Sequence, residues 1–384
     1  MHASTWVEIS STALNHNIAT YASIVAPAEL ALMLKSNAYG HGIELIAQLA
    51  NSNPHVAHFG LVSLSEALLL RSNGIQKPLF VHGFIDQNLE LAITHDIAIT
   101  VYDRATVTAL NQAARNKNKQ AQVHLKVDTG MSRLGLAPDK ALALAQCIVT
   151  LPNLQFMGIL SHYAHADGPD QTYTQHQSHQ LADLQAQLAT HGITPPLLHT
   201  SNSAGATAAH NLPHTLHAPH SSAHTLVRLG LGAYGLWPSP ENKLLAINRH
   251  PDMQLQPVLT WKTRIIQIKE VPAGTYVGYG CTHQTTEVTR IATLPIGYWD
   301  GYDRGLSNCG QVLVGNSLAP IIGRISMNLT TIDITGIDAS VGCHVTLLGD
   351  YTGIRAEDLA QLCGTINYEI ITRINPLIPR VITP

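Results

Sequence analysis

The chain has 384 residues, 45% hydrophobic and only 12% charged, against about 25% charged in typical soluble domains. Its 22 Lys and Arg against 25 Asp and Glu leave a net charge of −3. That balance, with no basic run, argues against a nucleic-acid binder held by phosphates, and the apolar content argues against a disordered chain.

The opening MHASTWVEIS has neither the basic nor the apolar region of a secretory leader. No stretch approaches the roughly 18 uninterrupted apolar residues of a membrane span. Cys147, Cys281, Cys309, Cys343 and Cys363 are scattered and form no CxxC pair, which fits free thiols in a reducing cytoplasm. Eight candidate strands follow in order: 29–35, 58–64, 78–84, 97–103, 122–128, 154–162, 196–202 and 225–230. Helical periodicity fills the gaps, as in GIELIAQLANS and SHQLADLQAQLATHG. Alternation on this scale implies a parallel sheet. Eight units in roughly 240 residues is the count and length of an N-terminal α/β domain of TIM-barrel, (β/α)8 type; an open doubly wound sheet has the same pattern.

After LWPSPENK (236–243) the texture changes. Short strands punctuated by Gly, Pro and Asn run from Val258, with one clear helix in RAEDLAQLCGT. The expectation is a barrel domain over 1–240 and a C-terminal β-rich domain over 241–384.

In such a barrel, chemistry sits at the C-terminal ends of the strands. Those ends carry an unusual share of the scarce polar groups: Lys35, Asp128 with Arg133 beyond it, His162, Asn202, Ser203 and Arg228. Lys35 closes the apolar run Leu30–Leu34. It reads either as a lysine whose stem lies on apolar surface or as a desolvated amine serving as nucleophile or base. Beyond the eighth strand, Gly230-Leu231-Gly232-Ala233-Tyr234-Gly235 spells GxGxxG. A dinucleotide fingerprint follows the first strand of its unit, so the better reading is a barrel phosphate site built from backbone amides with Ser203. A reactive lysine and a phosphate cradle on one rim suggest pyridoxal phosphate.

Eight motifs, LKSNAYGHG, LKVDTGMSRLGL, HTSNSA, VRLGLGAYGL, VGYGCTH, LPIGYWDGY, GRISMNLT and TINYE, together resemble the alanine racemase family, in that family's order and over nearly the whole chain. The resemblance implies a pyridoxal-phosphate barrel, a β domain, and a head-to-tail homodimer with shared active sites. It makes Lys35 the cofactor-bearing lysine and one base, and Tyr279 the opposite base, supplied across the dimer. Racemisation removes a proton from one face of Cα and returns one to the other, so two bases are geometrically natural. A free phenol, with a pKa of about 10, needs support to act as a base. His162 and Arg228 match the supporting residues.

Arg228 also matches the arginine facing the cofactor's pyridine nitrogen. A permanent cation there keeps that nitrogen unprotonated and discourages side reactions such as transamination. Tyr39, Asn202, Ser203, Gly230, Leu231 and Tyr368 match cofactor-binding positions, and Arg133 and Met327 match contacts to the substrate carboxylate. Lys126 matches a lysine carbamylated in many members. Tyr298 and Arg324 resemble access-channel residues. The bulk of Tyr368 favours a small side chain. Asn328 stands where many members have Asp, and the 203–228 segment is longer than usual.

His210, His214, His217, His220 and His224 are spaced for one helical face, but Pro213 and Pro219 break such a helix. A polar loop without metal is the expectation. The activity expected is interconversion of L- and D-alanine, supplying peptidoglycan precursors. Rival readings are a serine or broad-specificity racemase of the same fold, a basic amino-acid decarboxylase, and a non-catalytic pyridoxal-phosphate-binding protein.

Overall fold

The computed structural model describes residues 4–208 and 224–384. His210, His214, His217 and His220 lie outside the described residues. The first strand, β1 (Thr5–Ser10), is followed by eight others: β2 (Glu29–Met33), β3 (Val56–Ser63), β4 (Leu79–Phe84), β5 (Ile97–Val101), β6 (Ala121–Lys126), β7 (Leu154–Leu160), β8 (Leu197–His199) and β9 (His224–Leu229). All eight neighbouring pairs are parallel, and β9 returns to β2 through Glu29↔Leu226 to Leu32↔Leu229, closing the barrel. The apolar runs in the sequence are these strands, buried on both faces as parallel strands are. The open-sheet alternative is thereby excluded.

Capping side chains start the intervening helices. Ser63 accepts from the Glu66 amide before Leu64–Ser72, and Asp103 accepts from the Thr106 amide before Arg104–Asn116. Each satisfies an amide that the first helical turn leaves open, a contribution of about 1 kcal/mol.

Ten further strands complete the β-rich part: β10 (Leu259–Arg264), β11 (Gln267–Val271), β12 (Tyr276–Val277), β13 (His283–Gln284), β14 (Thr289–Leu294), β15 (Gln311–Val314), β16 (Ser317–Pro320), β17 (Thr330–Asp333), β18 (His344–Leu348) and β19 (Arg380–Thr383). A six-stranded sheet has the order β16-β15-β18-β10-β1-β19; β11-β14-β17 and β12-β13 form smaller sheets. Trp261 and Tyr302 meet edge to face at 5.7 Å in its core.

The chain divides into two compact units. One is the barrel, Leu14–Lys35 with Ile46–Gln256. The other joins Pro257–Pro384 to the chain up to Ala13 and to Ser36–Leu45. The expected pieces, 1–240 and 241–384, are consecutive, whereas these units interleave. β1 is a central strand of the six-stranded sheet, pairing β10 antiparallel and β19 parallel. The Pro238/Pro240 stretch expected as the boundary instead starts a helix, Pro240–Arg249, capped by Ser239 and lying in the barrel unit.

Candidate active site

The C-terminal rim of the barrel gathers the cations singled out in the sequence. Lys35 follows β2 directly, and its amine is held below the usual lysine value by burial first, then by the Arg133 and Arg228 charges, with Glu66 opposing. Lys126 ends β6 almost fully buried, and burial with Arg228 and Arg133 nearby brings it down to about 7. Asp128 opposes that shift. Its carboxylate also accepts the amides of Gly130 and Ser132 at 2.9 and 3.0 Å. This turn shapes the loop that carries Arg133, which is exposed.

Arg228 is buried on β9, and its guanidinium is held by acceptors from two neighbouring strand ends. Nη1 donates to the His199 carbonyl (2.6 Å) and to His199 Nδ1 (3.2 Å). Nη2 donates to the carbonyls of Ser161 (2.8 Å) and Thr200 (2.9 Å), and to His162 Nδ1 (2.9 Å). Burial and the surrounding cations, Arg228 foremost, push His162 well below its ordinary value, so its ring is neutral. Accepting at Nδ1, it carries its proton on Nε2.

The glycine loop lies beside the seventh and eighth strand ends of the barrel. The amides of Gly230 and Gly232 both donate to Ser203 Oγ, at 3.0 and 3.2 Å, and Leu231 sits between them. Gly232 has no room for a side chain, because a Cβ would lie 2.4 Å from the Tyr21 hydroxyl. Asn202 acts as a helix cap, its Oδ1 accepting from the Gly205 amide at 2.8 Å. Tyr234 donates to the Met33 carbonyl at 2.8 Å and ties the loop to β2.

The remaining expected residues lie in the other unit. Ser36, Asn37, Ala38 and Tyr39 all have φ between 51° and 56°. A left-handed turn of non-glycine residues costs about 1–2 kcal/mol per residue, and local bonds hold it in place. The Asn37 carbonyl and Oδ1 accept the amides of Gly42 and Ile43, and Arg380 donates twice to the Gly40 carbonyl. The buried neutral His41 donates from Nδ1 to the Ala38 and Tyr39 carbonyls. Gly40 is required, since a Cβ would lie 2.0 Å from the Ile371 carbonyl oxygen. This turn fixes Tyr39 with its ring centroid 6.4 Å from that of Tyr368.

Tyr279 is 72% exposed between Gly278 and Gly280, both at positive φ. A Cβ on Gly280 would come within 2.7 Å of Arg324 Nη1, so the loop lies close over that guanidinium. Met327 is 54% exposed. Its segment runs beside the LPIGY loop, with Tyr298 N donating to Ser326 O and Trp299 N to Met327 O.

The sequence profile of the alanine racemase N-terminal domain matches residues 9–238, and that of the C-terminal domain matches residues 258–382. The chain belongs to the alanine racemase family. That family is one of isomerases, and the chain is accordingly an enzyme. It is 36% identical to the alanine racemase of Clostridium perfringens, over 98% of this chain and 94% of that protein. It is 40% identical to the alanine racemase of Syntrophobacter fumaroxidans, over 96% of this chain and 94% of that one. Among solved structures, the alanine racemase of Clostridium difficile 630 superposes with a TM-score of 0.90 at 30% identity, covering 100% of this chain and 96% of that chain.

The barrel also holds residues to which sequence reasoning gave no role, one of them, His199, inside the HTSNSA motif. His82, His124 and His199 project inward, and Phe80 packs against all three rings at centroid distances of 6.4, 5.7 and 5.4 Å. The available signal was the period of two: Phe80 and His82 on β4, and His124 and Lys126 on β6, share a strand face.

Proposed function

We propose that the chain is a pyridoxal-phosphate-dependent alanine racemase, working in the cytoplasm as a homodimer with shared active sites and supplying D-alanine for peptidoglycan. The observation that carries this reading is the rim constellation: a lysine amine with a lowered pKa beside Arg133 and Arg228. The names carried by its relatives supply the substrate.

The residues present fit the cofactor. Ser203 and the amides of Gly230 and Gly232 converge at one point of the rim, a donor set suited to a phosphate. Lys35 would hold the carbonyl end, Tyr39, Asn202, Leu231 and Tyr368 would line the cofactor, and Arg228 would face the ring nitrogen. Bound pyridoxal phosphate supplies the electron sink that makes the substrate Cα proton removable.

The chain's own residues then divide the work. Arg133 binds the substrate carboxylate as a permanent cation, helped by the Met327 amide. Lys126, brought down to about 7, reaches its neutral form near physiological pH, the form that takes up carbon dioxide; its carbamate would be an anion placed to hold Arg133. Lys35 Nζ takes or returns a proton on one face of Cα. Tyr279 of the partner subunit does so on the other face, where His162, protonated on Nε2, is a donor able to stabilise a phenolate.

The test is incubation with L-alanine, L-serine, L-arginine and L-lysine in deuterated water, reading chirality, Cα deuterium and carbon dioxide. D-alanine labelled at Cα is the expected product, with alanine turned over ahead of serine. Release of carbon dioxide would replace this reading with a decarboxylase. Inertness toward all four would leave a binding protein.

A further inference from the structure

A (β/α)8 core is filled by layers of mainly aliphatic side chains from alternate strands. Here Phe80, His124 and His199, from the alternate strands β4, β6 and β8, meet inside the barrel, and both imidazoles are fully buried. The two rings stand at 89° with centroids 5.0 Å apart, and His199 Nε2 lies 3.1 Å from His124 Nδ1. Burial and neighbouring charge hold both rings far below the ordinary histidine value, so both are neutral. On its other side, His199 Nδ1 lies 3.2 Å from Arg228 Nη1.

Arginine can only donate. His199 Nδ1 must therefore be a lone pair, and the one proton of the neutral ring sits on Nε2. That proton is donated to His124 Nδ1, which must also be a lone pair, leaving the His124 proton on its own Nε2. The order runs without a branch from Arg228 to His199 to His124.

We propose that His124 and His199 are positioning residues: neutral imidazoles, each protonated on Nε2, whose ordered hydrogen bonds fix the plane of the Arg228 guanidinium. Both hydrogens of Nη1 go to His199, one to its carbonyl and one to Nδ1. Were His199 protonated on Nδ1, two N–H groups would face each other and Nη1 would swing away. His124 prevents this by offering His199 Nε2 an acceptor. It thus acts on Arg228 from two residues away without touching it. The five acceptors named on Arg228, three carbonyls and two imidazoles, are all neutral. Phe80, tilted 41° to the His124 ring and edge-on at 79° to that of His199, packs against both.

The functional consequence rests on the reading of Arg228 as the residue facing the cofactor's ring nitrogen; the tautomer order does not. The test therefore has two readouts, with ¹⁵N-histidine-labelled protein examined both with and without pyridoxal phosphate. In the wild-type protein, the His124 and His199 signals are expected as neutral rings protonated on Nε2 throughout the neutral pH range. A signal from either ring protonated on Nδ1, or on both nitrogens, would overturn the proposal without any variant. His124→Phe keeps the ring volume but removes the acceptor; His199 should then lose its single tautomer, and kcat should fall about 10- to 100-fold with little change in KM. His124→Asn offers an oxygen near the place of Nδ1, and should restore both the His199 tautomer and most of the rate. An unchanged His199 signal with kcat at the wild-type level in His124→Phe would also overturn the proposal. If the protein racemises nothing, the nitrogen spectra still decide the tautomer order, so failure of the functional reading is distinguishable from failure of this one.

Discussion

The barrel rim and the strand-rich unit solve different physical problems. On the rim Lys35, Lys126 and Arg228 lie close together, and burial first, then neighbouring positive charge, drives both lysines toward the neutral form. In the strand-rich unit Tyr39 is buried, but Tyr279 and Met327 are held by backbone geometry and left open to solvent. Tyr279 stands exposed between two glycines at positive φ, and Met327 is more than half exposed. Burial shifts a pKa and so prepares an amine for proton transfer; a rigid, exposed phenol acquires an environment only when something covers it. The first region surrounds its groups with its own residues, whereas the second leaves Tyr279 and Met327 exposed.

The sharpest way to break this contrast is at Lys35. Lys35→Ala should remove the visible absorbance of the bound cofactor and lower racemisation by at least about 10⁴-fold; a variant that retained colour and rate would remove Lys35 from the chemistry. Tyr279→Phe should cost about 10²- to 10³-fold in kcat while the absorbance stays, since the phenol holds no part of the cofactor. Loss of cofactor in that variant would mean that the loop is structural.

A smaller effect separates the two regions by pH. Between about pH 7, where Lys126 titrates in the folded protein, and its ordinary value of 10.5, the unfolded chain carries a proton that the folded one does not. Stability contributed at this site therefore rises with pH across that window, and the cost of the buried charge is fully present below it. Denaturant titrations over the range should show this slope in apoprotein freed of carbon dioxide, and Lys126→Met should flatten it. An equal slope in both proteins would mean that Lys126 is not desolvated in the folded state.

Most of the fold was legible because the barrel strands are short apolar runs, and runs such as LALM and IAITV are fully buried. β1 was not legible. TWVEIS is short and makes its pairings with residues about 250 and 370 positions away in β10 and β19, so no local pattern announces it. The left-handed turn at Ser36–Tyr39 was equally hidden, since none of its four residues is a glycine; Gly40, Gly42, Arg380 and His41, which make it possible, reveal themselves only in three dimensions. The rim cations were legible because charge is scarce and strand ends are where a barrel keeps its chemistry. Asp128 was read only as a polar residue at a strand end, yet it also shapes the Arg133 loop. Among 22 histidines, composition offered no means of separating the buried pair His124 and His199 from those on the surface.

The central claim is that a working site takes Lys35 from one chain and Tyr279 from another. It is tested most directly by mixing Lys35→Ala and Tyr279→Phe chains and verifying subunit exchange. In a randomly mixed twofold dimer half the molecules are hybrids, and each hybrid holds one intact site, so activity should return to about a quarter of the wild-type value. Exchange without any return of activity would contradict the account, because both groups would then be needed in the same chain.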